Sequence, residues 1–167
     1  MKQIDLIAFK RKNAKKRRIY AAFLRNLPQR KVRGLNSLAV KMTAETFAEI
    51  DCRRCANCCK TMTPTYTRAD IIRIAAHLNI TPDMYKEKYL YQDDVGDWLH
   101  KSTPCHFLGK SNLCTIYEIR PLDCSGYPHT HKKNFMMQTD LNVQNLSYCP
   151  ATFRMVEKIY EIVEGKK

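Results

Sequence analysis

Apolar residues hold helical register along parts of this chain and lose it in others. Residues 2–27 contain neither Pro nor Gly, and they set Ile4, Ile7, Tyr20, Phe23, Leu24 and Leu27 among long basic side chains. That pattern predicts a helix ended by Pro28. After a break at Gly34 to Ser37, a shorter helical stretch is expected around Thr43 to Ile50. Thr67-Arg-Ala-Asp70 has the form of a capping box with Asp in the Glu/Gln role, and Ile71, Ile74, Ala75 and Leu78 follow at helical spacing. Thr81-Pro82 supplies an N-cap and a favoured first helical residue for a segment whose apolar face is Met84, Tyr85 and Tyr89. From Asp93 to about Asn145, Gly, Pro, Asn and Asp interrupt the period, and loops with short strands are expected near Trp98 to Lys101 and Phe135 to Gln138. Pro150 opens a last helix carrying Phe153, Val156, Ile159, Tyr160 and Val163, stopped at Gly165. The Met and Tyr residues of these helices read as core, since helical spacing alone accounts for them. The predicted fold is a small, mostly α domain with irregular loops and short strands (α+β).

Charge divides the chain unevenly. Of 29 Lys and Arg against 16 Asp and Glu, residues 1–33 hold 12 bases and one acid, Asp5. The basicity is therefore an N-terminal helical arm (1–33) in front of a nearly neutral body (34–167). Such an arm can be a charged helix packed on the body, a binder of nucleic acid or another polyanion, or an organellar presequence, which the scarcity of Ser argues against. A chain of 167 residues fits one domain and buries ~70% of its unfolded surface, so it needs no metal or disulfide merely to own a core. The opening MKQIDLIAFKRKN lacks the apolar stretch of a signal peptide, and no apolar run approaches the ~18 residues of a membrane helix. Collagenous, fully disordered and membrane-spanning classes are excluded. A soluble protein of a reducing compartment, the cytoplasm, is expected, with no membrane partner.

The thiols change the picture most. Four of the eight cysteines fall in Cys52-Arg-Arg-Cys55-Ala-Asn-Cys58-Cys59, and the others are Cys105, Cys114, Cys124 and Cys149. Two residues between sulfurs let a tight turn aim consecutive thiolates at one centre while its amides hydrogen-bond them. Arg53, Arg54 and Lys60 favour thiolate over thiol. The alternative, that cysteines are merely small buried hydrophobes, sits poorly with a polar segment so dense in sulfur. Adjacent side chains diverge, so Cys58 and Cys59 would not share one zinc ion without a special turn, and one of them is available to a second centre. A zinc ribbon would want another C-x2-C pair, whereas 8, 9 and 24 residues separate the downstream cysteines. That spacing suits an iron–sulfur cluster completed by a remote cysteine, and Cys149-Pro150 echoes the Pro after the fourth ferredoxin cysteine. Eight thiols suffice for one cluster with spares or for two centres. His106, His129 and His131 are substitute zinc ligands, though each reads first as a surface or core histidine. Arg120-Pro121 forces an extended or turn geometry, with the guanidinium expected as a brace that pairs with Glu118 or Asp123 while donating to a sulfur or carbonyl.

Cys52-x2-Cys55-x2-Cys58-Cys59, then Pro104-Cys105-His-Phe107-Leu108, then Cys114-Thr-Ile116-Tyr117-Glu118-Ile-Arg120-Pro121-x2-Cys124-x2-Tyr127-Pro128, resembles the CxxCxxCC cysteine-cluster family, also called YkgJ-like, a zinc- or iron-chelating domain. The resemblance covers residues 52 to about 150. It implies a metal-ligand role for Cys52, Cys55, Cys58, Cys59, Cys105, Cys114 and Cys124, extended to Cys149. The family usually has Gly where Ala56 stands and a basic residue where Ser125 stands. Flagellin lysine methylases look similar in this module, but the chain shows no glycine-rich nucleotide loop, and that activity is not implied.

The function expected is metal binding, with an iron–sulfur cluster favoured and zinc the alternative, in a structural, redox or metal-handling role. A second class is a zinc-stabilised, nucleic-acid-associated module using the basic arm. A third is a small cysteine-dependent enzyme, which would need a base such as His106 or His129 and explains clustered thiols less economically. The sequence names no protein partner.

Overall fold

A computed structural model describes residues 4–130 and 135–165. Among these the helices are α1 (Leu6–Arg30), α2 (Leu35–Glu49), α3 (Cys52–Cys55), α4 (Asn57–Thr61), α5 (Arg68–His77), α6 (Pro82–Tyr89), α7 (Leu122–Gly126), α8 (Thr139–Asn145) and α9 (Pro150–Val163). The strands are β1 (Thr65–Tyr66), β2 (Leu90–Gln92) and β3 (Trp98–His100). The chain is mostly helical with one small sheet, as the α+β expectation had it. It divides into two compact units, Met1–Cys55 with Pro128–Lys167, and Ala56–Tyr127.

The first unit is helical. Asp5 caps α1 by accepting from the amides of Ile7 and Ala8 at 2.9 and 3.0 Å. The helix runs through Pro28 to Arg30 and closes on Lys31 in the left-handed region, so Pro28 does not end it. A proline in the last turn forfeits one bond to the fourth carbonyl back, and the following residues still complete the turn. Helix α2 begins at Leu35, directly after Gly34 at φ 69°, well before the expected start. Its Leu35, Ala39, Met42, Thr43 and Thr46 are buried at helical spacing. Phe9, Tyr20, Phe23, Leu24 and Leu27 of α1 share a core with Phe153, Val156 and Ile159 of α9. Ile7, expected on the apolar face, is instead exposed. Glu157, 1% exposed, accepts from Lys12 Nζ at 2.7 Å, Tyr20 Oη at 2.8 Å and Arg154 Nη1 at 2.9 Å. Burial opposes its charge, but these three donors outweigh it and hold the carboxyl below its usual range.

Two expectations fail in this unit. Met136–Gln138 is a 3-10 turn, not a strand. Consecutive Phe135 and Met136 both pack on the core while Met137 is exposed, so no alternating face exists for a sheet to bury. Helix α8 lies where loops were expected, because the residues it buries are polar. One of them, Asn145, donates from Nδ2 to the Pro128 carbonyl at 3.0 Å.

The second unit packs α5 and α6 with the antiparallel sheet, strand order β1-β3-β2. Thr65 faces Leu99, and Leu90 faces His100. Both expected caps form: Thr67 and Asp70 make the reciprocal box, and Thr81 Oγ1 accepts from the Met84 amide at 3.2 Å. Tyr66, Ile71, Ile74, Tyr85, Phe107 and Ile116 build the core. Met84 faces outward, 53% exposed, correcting its place on the apolar face. Helix α7, again in the expected loop stretch, is anchored by Asp70, whose Oδ1 accepts from the Leu122 amide at 3.1 Å. Arg73 completes the brace, donating to Asp70 at 2.5 Å and to the Arg120 carbonyl at 3.0 Å.

Candidate metal centre

The division between the two units falls inside the cysteine run, after Cys55. On the near side, Asp51 starts a single turn: its Oδ1 accepts from the Arg53 amide at 2.9 Å and its carbonyl from the Cys55 amide at 3.0 Å. Cys52 and Cys55 are thereby the ends of one helical turn. The same unit supplies Cys149, buried, as the N-cap of α9, with Sγ accepting from the Thr152 amide at 3.4 Å. Burial of the sulfur, then the thiols of Cys149 and Cys55 and the Asp51 carboxylate, raises the Cys52 thiol, although that residue as a whole is exposed. Burial likewise pushes Cys149 up, against the amides of Thr152 and Ala151.

Beyond the division, Ala56, the N-cap residue of α4, takes φ 48° and ψ 20°, a left-handed conformation. Cys58 and Cys59 lie in α4 with their sulfurs 4.0 Å apart. The Cys59 carbonyl accepts from the Cys105 amide at 2.8 Å. Cys105 opens a tight loop in which Leu108 bridges Cys114, the Gly109 amide donates to the Leu113 carbonyl at 2.8 Å, and the Thr115 amide donates to the Phe107 carbonyl at 2.9 Å. A Cβ on Gly109 would stand 3.1 Å from the Leu113 carbonyl oxygen, so a side chain there would push this loop apart by a few tenths of an ångström. Cys124 is carried by α7, beside Asp123, which accepts from the Thr65 amide at 3.1 Å. Arg120 donates to the Tyr117 carbonyl at 2.5 Å, the carbonyl contact expected of it, and lies 3.8 Å over the Tyr117 ring.

These thiols feel one another. Burial pushes Cys124 up, and the thiols of Cys59, Cys105 and Cys114 add to it together with Asp123. Burial takes Cys105 up to about 11, with Cys59 and Cys114 contributing. Cys114 rises by burial and by Cys59. Cys59 moves the other way, down to about 7, because Cys58 hydrogen-bonds its sulfur and Lys60 adds a positive charge, together outweighing burial. One thiolate-prone sulfur thus sits among protonated ones, the arrangement from which a thiophilic metal would displace protons. Among the described residues, however, no three His, Cys, Asp or Glu side chains converge closely enough to hold a metal ion. The donor type fits zinc or iron; the sulfurs would have to draw together around it.

The histidines contribute little here. His106 is exposed, its ring 4.9 Å from that of Tyr89, and His129 stands at φ 62°. His131 lies outside the described residues. Sequence reasoning overlooked His100, which is 1% exposed in β3. Burial lowers its pKa, and the Ser102 amide donates to its Nδ1 at 3.2 Å. Only its position between Leu99 and Lys101 in an alternating stretch hinted at an inward side chain.

A family model described as "CxxCxxCC: Putative zinc- or iron-chelating domain" matches residues 51–150, and the chain belongs to that family. An uncharacterized protein of Methanocaldococcus jannaschii, MJ0661, is 30% identical over 102 residues, 59% of this chain and 55% of the relative. The chain thus spans about half the length of that curated relative. No solved structure matches it. Among the described residues no helix is long and apolar enough to cross a membrane.

Proposed function

We propose that this protein binds metal through the thiolates of Cys52, Cys55, Cys58, Cys59, Cys105, Cys114, Cys124 and Cys149, in a structural, redox or metal-handling role. The observation that carries the reading is how Ala56–Tyr127 ties distant cysteine segments together, the Cys105 amide to the Cys59 carbonyl and Leu108 to Cys114, with Cys124 carried by α7 of the same unit. An all-sulfur donor set with single remote cysteines favours an iron–sulfur cluster over zinc. A cluster would supply electron transfer or Lewis-acid chemistry, and zinc a fixed tetrahedral clamp. The chain's own residues hold the donors: Asp51 sets the Cys52–Cys55 turn, the Cys105 amide ties its loop to Cys59, and Asp70 with Arg73 fixes the helix bearing Cys124. Purification without oxygen followed by iron, sulfide and zinc analysis tests this. Brown protein with iron and sulfide supports the cluster, colourless protein with zinc supports the alternative, and metal-free folded protein contradicts both.

A second reading, polyanion binding, draws on α1. Lys10, Arg11, Lys15, Lys16, Arg17 and Arg18 are all exposed on the helix whose other face is buried against α9. If they contact phosphates, binding to duplex DNA weakens with salt at a log–log slope of ~0.9 per contact. Salt-independent or absent binding to nucleic acid removes this reading and leaves the metal reading untouched.

A further inference from the structure

Helix α6 buries Tyr85 completely, yet the tyrosine hydroxyl meets no hydrogen-bond partner among the described residues. Helical spacing accounts for the ring but not for that oxygen, since a phenylalanine would fill the same place. Buried hydroxyls in folded proteins are almost always paired, and an unpaired one costs stability. This one calls for an acceptor.

The neighbours of the ring indicate where the acceptor stands. Tyr85 stacks on Phe107, with centroids 6.4 Å apart and planes 12° apart, and tilts against Tyr66 at 6.1 Å. Phe107 follows Cys105 by two residues, and both Cys105 and Cys114 pack against the cluster that holds all three rings. Tyr66 borders Thr65, whose amide is tied to Asp123, next to Cys124. Tyr85 therefore stands among segments that carry or brace three thiols of Ala56–Tyr127. Burial pushes its phenol up, the Tyr66 hydroxyl opposes this and Cys105 adds to the rise, so the group stays protonated and able to donate.

We propose that Tyr85 is a positioning residue of the metal centre, its hydroxyl donating a hydrogen bond to the Cys105 thiolate. The proposal rests on the metal-binding reading and adds to it a residue that cysteine spacing does not reveal. A thiol accepts hydrogen bonds weakly, whereas the thiolate formed when a metal displaces its proton accepts them strongly. One bond thus gives the buried hydroxyl its partner, holds Cys105 in one orientation and spreads the negative charge of an all-sulfur donor set. Removing a partner of this kind from a metal ligand typically weakens metal binding about 10–100-fold.

Tyr85→Phe in the full chain tests this, because it deletes the oxygen and keeps the ring. Affinity for zinc and for ferrous iron is measured by competition with a chelator, and melting temperature is followed with the metal bound and after its removal. The variant is expected to bind metal about 10–100-fold more weakly. Once stripped of metal it should melt no lower than the wild type, since an unpaired buried hydroxyl is gone. Tyr89→Phe, a half-buried neighbour on the same helix, should leave metal affinity unchanged. Unchanged affinity in Tyr85→Phe, or a melting temperature lowered equally with and without metal, makes the residue one of packing alone and overturns the proposal; equal weakening by Tyr89→Phe does so too. Wild-type protein that takes up neither metal instead overturns the metal-binding reading itself.

Discussion

The amide of Cys105 donates to the carbonyl of Cys59 at 2.8 Å, so the second half of the cysteine pair is tied by backbone to the loop that carries the next thiol. Its neighbour Cys58 stands 4.0 Å away, sulfur to sulfur, and hydrogen-bonds the Cys59 thiol. The two are therefore unequal. Cys59→Ser removes the sulfur most ready to ionise and should strip most of the metal held in Ala56–Tyr127. Cys58→Ser removes one sulfur but leaves Cys59, Cys105, Cys114 and Cys124 in place, and should retain more of it than Cys59→Ser does. Metal analysis of the two variants decides; equal and complete loss from both contradicts the assignment.

Ala56 occupies a left-handed conformation in which a Cβ costs about 1–2 kcal/mol, and it is buried there. Glycine adopts that conformation freely, though it loses more entropy on folding. Ala56→Gly is thus expected to raise stability by about 1 kcal/mol, read as a higher midpoint in denaturant titration. A lowered midpoint would show that burial of the methyl group outweighs the relief of strain.

Glu157 ties α1 to α9 through Lys12 and Tyr20. Because its carboxyl is held below the usual 4.5, its contribution is fully present above that value and is lost as pH falls through the lowered folded value. Glu157→Gln should cost about 1–3 kcal/mol at neutral pH, the price of weakening three donors' acceptor in a buried place. The variant and wild type should converge in stability as pH falls from 4.5 through the lowered folded value. Stability curves that stay parallel as pH falls below 4.5 would contradict the account.

His100 is buried among the rings of Tyr66, Tyr89 and Phe107, with His106 the nearby titratable group of like charge. Its pKa in the fold lies below the ordinary 6.5, so the unfolded chain takes up its proton first. Stability from this residue is complete above about pH 6.5 and falls as the solution is acidified from there toward the folded value. His100→Phe, if it folds, should flatten that part of the stability–pH curve. An unchanged slope between pH 5 and 6.5 would sink the assignment.

What the sequence made legible was local backbone chemistry. The Thr67–Asp70 box, the Thr81 cap and the Pro150 start hold because each depends on residues within one turn. Helix α8 stayed hidden because the residues it buries, Asn142 and Asn145, are polar, and the bond that holds Asn145 runs to the distant Pro128 carbonyl. Phe135 looked like strand because so short a run, with Phe135 and Met136 on the core and Met137 exposed, has no readable period. At the candidate centre, the spacing exposed the thiols as a set, and the family match at 51–150 agrees with that reading. Which downstream thiol is tied to the cysteine run was not legible, since it depends on a through-space contact, the bond from the Cys105 amide to the Cys59 carbonyl.

X-ray absorption at the edge of the bound metal tests the central claim, thiolate ligation, most directly. Protein purified without oxygen and dialysed free of loose metal is expected to retain iron or zinc with a first shell of sulfur at about 2.3 Å. Iron neighbours beyond that shell would mark a cluster. A first shell of nitrogen and oxygen, or no metal surviving dialysis in folded protein, would contradict the account.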